Sequence, residues 1–192
     1  LEVAESARTG ANPYELLTQA MASEPTDLLV LPYFTPSGTP HFDAHTPGAI
    51  LGLRLTTARG EVLRALIEAV AMEIRLNLEI LGESGLAVEQ LRAIGGGAKS
   101  RALVQLKADV LNRPITTLAV TEAGCLGVAL LACAAHSGAA PRELVKNWVT
   151  TGPVIEPDPR RALHYDRRFL AYRELYPAIR DLWKRLSFAK AR

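Results

Sequence analysis

An α/β fold is what this chain of 192 residues predicts, on two observations. Short runs of aliphatic and β-branched residues alternate with longer segments whose apolar positions step by three and four. Between them lie the Pro, Gly and capping residues that end one kind of element and begin the other.

The elements follow in order. Residues 1–22 read as polar-to-amphipathic helix, with Asn12 as the cap of "ANPYELLTQAMASE" and Pro13 in the first helical position. "TDLLVLPYF" is apolar from Leu28 to Tyr33 apart from Pro32, which suits a buried strand that the proline ends. "TPSGTPHFDAHTPG" is dense in turn residues and reads as an exposed loop. In "TTARGEVLRALIEAVAMEIRLNLEIL" the residues Leu63, Leu66, Ile67, Val70, Ile74, Leu78 and Leu81 build one apolar helical face. Glu61, Arg64, Glu68 and Arg75 are expected mostly on the opposite, solvated side. A short strand then ends at Ile94 and enters "GGGAKS". A helix over Arg101–Leu111 stops near "NRP", because Pro114 disfavours helical geometry in Arg113. "ITTLAV" is a β-branched strand, and "TEAGCLGVALLACAAHSG" a small-residue helix with Thr121 as cap and Gly138 as stop. The last segment places Phe169, Tyr172, Leu175, Ile179, Leu182 and Leu186 at helical spacing.

Composition sets bounds on function. With 48% apolar residues, 22% charged residues and a net charge of +2, the chain has no electrostatic push toward nucleic acid or a membrane. Ten Lys/Arg against three Asp/Glu fall between Arg160 and Arg192, but the apolar spacing there makes them the wet face of a docking helix. Cys125 and Cys133 are expected to be buried free thiols, since no CxxC pair or disulfide framework accompanies them. No leader-type apolar segment or long apolar run is present, so a cytoplasmic location is expected. The first residue is Leu1 rather than Met, which reads as a processed or truncated chain.

The glycine run carries the chemistry. A phosphate-binding P-loop needs glycines where Ala93 and Ala98 stand, so Lys99 and Ser100 are not its lysine and serine. The dinucleotide fingerprint fits Gly95 and Gly97 but fails at Ser100. What remains is a strand entering residues without Cβ, whose backbone can lie against a ligand, and Ser100 positioned to cap the next helix. The free N–H groups there would attract an anion or a polar ring edge. A strand-to-helix turn that binds nothing stands beside that reading. His41, Asp43 and His45 are ligand-type residues within one loop. A structural role is favoured for them over a metal, and no metal site is assigned.

At "IGGGAKSRALVQLKADVLNRPI" the sequence resembles the adenosine-binding segment of the FGGY carbohydrate kinases, the xylulose, ribulose, gluconate and glycerol kinase group. The stretch from "LPYFTPSGTPHFD" through "GAILGLRLTTARGEVLRALIEAVAMEIR" is similar to a second family region. "TEAGCLGVALLA" and "EPDP…Y…Y…LYPAI" resemble a third and a fourth, in the family's order over roughly residues 28–180. Where members more commonly carry "GERTP", this chain has "PSGTP" and lacks the charged pair.

The resemblance implies an actin/hexokinase-like (ribonuclease H-like) ATPase domain, the C-terminal, nucleotide-side domain of a two-domain sugar kinase with its opening strands absent. Residues 1–27 would be a leading helix and linker, 28–159 the α/β core and 160–192 the C-terminal docking helix. It implies ATP and Mg2+ as cofactors and a sugar or polyol as the phosphoryl acceptor. Gly95, Gly96, Gly97, Ala98 and Ser100 would contact the adenosine of ATP. Gln105 and Asp109 would support that segment from one and more turns beyond, and Glu122, with Gly124 and Gly127, would begin a closely packed helix. The loop of His41, Asp43 and His45 would lie at the edge of the interdomain cleft. The catalytic Asp and most sugar contacts would belong to a missing N-terminal kinase domain, so these residues alone are expected to be inactive. The surface facing that domain is expected to favour a homodimer. The alternatives are a stand-alone actin-like module binding nucleotide or protein without catalysis, and an interaction domain whose glycine turn is empty.

Overall fold

The computed structural model describes residues 2–120 and 122–190. Two short helices open it, α1 (Glu2–Thr9) and α2 (Pro13–Ala20), parted by the bend at Gly10–Asn12 where a single helix was expected. Strands β1 (Leu29–Leu31) and β2 (Ala49–Leu51) pair antiparallel, with Val30 opposite Ile50. The long helix α3 (Arg59–Glu83) leads to β3 (Leu91–Ala93), a 3-10 turn (Gly96–Lys99) and α4 (Arg101–Leu111). Then come β4 (Ile115–Leu118), α5 (Ala123–Ser137), α6 (Pro141–Trp148), β5 (Thr151–Ile155) and α7 (Pro159–Lys190).

The second sheet has the order β3-β4-β5, with β3 parallel and β5 antiparallel to β4. A parallel pair needs a crossover, and α4 supplies it. Covered by α3, α7 and the sheet, α4 buries Val104, Leu106, Ala108, Val110 and Leu111. Its end is set by Asn112, whose left-handed backbone (φ 50, ψ 43) lets its N–H return to the Ala108 and Asp109 carbonyls. On one side Leu106 and Val110 join Leu31, Met72, Tyr165, Phe169 and Tyr172 in the main core. On the other, Val104, Ala108 and Leu111 pack with Ile115 and Ile155.

Several expectations need correction. Arg64 and Glu68 of α3 are only 3% and 5% exposed, while Val70 and Leu81 stand 48% and 38% exposed. The buried stripe is made of Ala65, Ala69, Ala71 and Met72, small enough for β1 and α7 to come close. Inside that contact Arg64 and Glu68 satisfy each other at 2.7 Å, and Tyr165 of α7 joins both. In α7 the apolar stripe ends near Ile179: Leu182 and Leu186 are exposed, and Tyr165 and Tyr176 complete the core instead. Finally Cys125 is exposed and Cys133 half-buried, because α5 buries only Leu130. For the same reason a Cβ at Gly124 or Gly127 would meet nothing within 4 Å, so among the described residues no helix packs closely against either. Gly138 does stop α5 in a left-handed conformation (φ 71), whereas the cap expected at Thr121 lies outside the described residues. The segments α6, β2 and β5 were not anticipated.

Candidate functional site: a glycine turn facing helix α2

Because β3 and β4 run parallel, their carboxyl ends open on the same side of the sheet. The chain leaves β3 into Gly95–Ser100 there and leaves β4 toward Glu122, the position where α/β sheets commonly hold ligands. The three glycines are not equivalent. Gly95 has φ 80 and ψ −173, a conformation that side-chain-bearing residues rarely adopt. Gly96 and Gly97 carry no such requirement, and a Cβ on either would point into open space. The fold needs glycine at the first position; at the next two the missing side chains leave the turn's surface flat. Ala98 closes the turn by donating its N–H to the Gly95 carbonyl at 3.1 Å. Ser100 ends it with extended backbone, and its Oγ accepts the Leu103 N–H of α4 at 3.4 Å, as a helix cap does.

Opposite this turn stands α2. A cavity of about 540 Å³ lies between them, lined by Gly96, Gly97, Lys99, Ser100 and Leu103 on one wall. Asn12, Tyr14, Glu15, Thr18 and Gln19 form the other. Tyr14, Glu15, Thr18 and Gln19 share one helix face because their spacing is one turn. The wall is held at both ends. Asn12 Oδ1 accepts the Tyr14 N–H at 2.9 Å, and Pro13 presets the first turn. At the far end Ala22 donates to the Gly60 carbonyl at 3.0 Å. A Cβ on Gly60 would sit 2.6 Å from the Ala20 carbonyl oxygen, so the glycine lets α2 touch the start of α3.

The more distant site candidates occupy other surroundings. Gln105 donates through Nε2 to Asp109 Oδ1 and to the Glu156 carbonyl, both at 2.8 Å. Asp109 is fully buried, accepts the Asp158 N–H at 2.8 Å and has Arg161 3.8 Å from its second oxygen. Together they fasten α4 to the segment that starts α7, a turn or more beyond Ser100. Glu122 is exposed at the start of α5, without a side-chain capping bond.

The loop with His41, Asp43 and His45 is an ordered structure built on Asp43. Its oxygens accept the His45 N–H at 2.7 Å, the Thr46 N–H at 3.1 Å, the Thr46 hydroxyl at 2.5 Å and the Tyr176 hydroxyl at 3.0 Å. These bonds, led by the Thr46 hydroxyl and the His45 amide, hold its carboxyl well below the usual range. His41 stacks on Tyr176 with ring centroids 3.6 Å apart, and burial with nearby Arg180 lowers its pKa. Beside it Glu73 accepts the Tyr33 and Tyr172 hydroxyls, and burial pushes its carboxyl up despite them. Asp43 thus directs its oxygens to amides and hydroxyls. Among the described residues no three His, Cys, Asp or Glu gather as a metal site, and no helix is long and apolar enough to cross a membrane.

Neither Tyr14 nor Gln19 was marked by the sequence. No local pattern announces that a helix ending near residue 20 lies across a groove from a turn near residue 96.

Residues 1–136 match the family model described as the FGGY family of carbohydrate kinases, C-terminal domain. The chain is 28% identical over 174 residues to a xylulose kinase of Bacillus subtilis, covering 88% of this chain and 35% of that protein. It is 32% identical over 175 residues to an erythritol kinase of Brucella abortus, covering 88% of this chain and 33% of that protein. The crystal structure of a xyloylose kinase from Brucella ovis superimposes with a TM-score of 0.78 at 31% identity, covering 92% of this chain and 37% of that one. The chain therefore spans about a third of the length of the curated relatives it matches.

Proposed function

The chain belongs to the FGGY family of carbohydrate kinases and has the actin/hexokinase-like α/β fold of its C-terminal domain, and from that premise we propose that it holds the nucleotide in an ATP-dependent sugar or polyol kinase. The relatives named above are kinases, which favours this reading over a stand-alone binding module.

The observation that carries it is the pair Gly96 and Gly97. Their backbone conformations do not call for glycine, yet open space lies where each Cβ would be. A flat backbone wall beside a nucleoside-sized cavity suits the adenosine part of ATP. Ala98 completes the turn, and Ser100 holds the first turn of α4 in place behind it.

In the reaction, a hydroxyl oxygen of the sugar or polyol bonds to the γ-phosphorus of ATP while the bond to the bridging oxygen breaks. ADP leaves and the hydroxyl proton passes to a base. None of Gly95, Gly96, Gly97, Ala98 or Ser100 can act as that base. The work of this turn is to bind and orient. The base and the sugar contacts come from a second kinase domain, and the complete enzyme works in the cytoplasm. Mg2+, held by the nucleotide's phosphates and one or two carboxylates, would neutralise charge on the transferring phosphate.

The test is thermal unfolding of the full-length enzyme with and without ADP, followed by a sugar and polyol panel. ADP at a hundred times its Kd should add about 2.7 kcal/mol of stability. Gly97→Val, which the open space lets the free fold tolerate, should abolish most of that gain, whereas Lys99→Ala should retain it. Equal effects of the two changes refute the glycine wall.

A further inference from the structure

The glycine turn is one side of a cavity whose other side has no role in the reading above. We infer that α2 is the base-recognition wall of this site, with the Tyr14 ring stacking on the purine and the Gln19 amide bonding its edge. The inference rests on the proposed nucleotide role of the glycine turn and adds what a flat backbone cannot supply.

Backbone at Gly96 and Gly97 gives close van der Waals contact but no pattern that matches a particular base. A purine presents a flat π-face and an edge with neighbouring donor and acceptor atoms. Tyr14 is 77% exposed although it lines the cavity, so a large apolar face is held at its mouth. At that place the ring offers a flat π-face on which a purine can stack, with the hydroxyl end left in water. Gln19, five residues farther along the same helix, is exposed and lines the cavity, and its side-chain amide makes no hydrogen bond among the described residues. Its amide carries an acceptor oxygen beside two N–H donors, the complement of an adenine edge. Thr18 between them is committed, since its hydroxyl donates to the Tyr14 carbonyl at 2.8 Å. That bond and the Asn12 cap fix the helix that carries the two free groups.

The geometry also accounts for the placement of α2. Its approach to α3 depends on Gly60, and that approach sets the width of the cavity. At about 540 Å³ the space is of the size that ligand sites commonly have. A purine between the glycine wall and the Tyr14 ring would lose water from both faces at once.

The experiment is titration calorimetry of ADP into the full-length enzyme, wild type and variants. Tyr14→Ala and Gln19→Leu should each weaken ADP binding about tenfold, the size expected for losing one stacking or one bidentate contact. Tyr14→Phe should stay within about twofold, because stacking uses the ring and not the hydroxyl. Both side chains are exposed, so the unfolding temperature without nucleotide should be unchanged for all three. Binding within about twofold of wild type for Tyr14→Ala and Gln19→Leu, with Gly97→Val still defective, overturns the α2 wall and leaves the nucleotide role standing. Wild-type enzyme that binds no ADP overturns both.

Discussion

Glu68→Leu should be among the most damaging single changes in this chain. Its carboxylate is 5% exposed and accepts three bonds: Arg64 Nε at 2.7 Å, the Tyr165 hydroxyl at 2.7 Å and the Thr26 hydroxyl at 3.1 Å. Arg64 is equally buried and is already committed to the Ala22 and Ser23 carbonyls and to Tyr165. Removing Glu68 leaves a guanidinium out of water without its counter-charge, a loss of about 3–5 kcal/mol. For a chain of this size each kcal/mol moves the unfolding temperature by about 2–4 °C, so the shift is on the order of 10 °C. Arg64→Met should be comparable, because it strands the carboxylate. The double variant should lose at least about 1 kcal/mol less than the sum of the two single losses, because it leaves no unpaired charge. It will not regain wild-type stability, since the Ala22 and Ser23 carbonyls and two hydroxyls lose partners. Urea unfolding followed by circular dichroism measures all four corners of the cycle. Single losses below about 1 kcal/mol, or additivity within about 0.5 kcal/mol, refute the account.

Two further outcomes follow from the same packing. Asp43 holds its proton less tightly folded than unfolded, so the stability it confers is complete above its ordinary value of 3.8 and is lost as pH falls below that. Unfolding temperature measured from about pH 6 down to about pH 3 should therefore fall less steeply for Asp43→Asn than for wild type; parallel curves refute the assignment. Gly60→Ala should destabilise despite alanine's better helix propensity. Its Cβ would press to 2.6 Å on the Ala20 carbonyl, and relieving that contact costs about 1–3 kcal/mol while pushing α2 off its seat. Denaturant unfolding, together with weaker ADP binding, is the measurement, and a stabilised variant would contradict the close approach.

Much of the scaffold was legible because its signals are local. Arg101–Leu111 matches the helix read from spacing and from the proline that follows, and the caps at Asn12, Ser100 and Gly138 act as their residue types foretell. What escaped depends on neighbours. Arg64 and Glu68 read as solvated because hydrophobic period sorts charges outward, and nothing near them says that Tyr165, about a hundred residues on, will close over the pair. The strand β5 escaped because Gly152 and Pro153 are poor strand formers; it lies at the edge of its sheet, and its register with β4 shifts between Thr116 and Leu118, the setting in which a strand tolerates proline. Cys125 misled for the opposite reason: its apolar setting suggested burial, but α5 rests on α6 and leaves that side open. The glycine turn stood out in the sequence, while the helix across the cavity from it did not. A cavity between two segments some eighty residues apart has only half of its signature in either one.

The position of β3 has a consequence for handling the protein. Among the described residues it bonds only to β4, so when this chain is handled apart from the rest of the enzyme, its outer side offers N–H and C=O groups for pairing. Such an edge can seed sheet growth between molecules. Two features restrain it: the strand is only three residues long, and Arg92 puts an exposed charge at its centre. A substitution that made this position β-branched and neutral would remove a gatekeeper. Soluble yield and light scattering, rather than activity, would register the loss first.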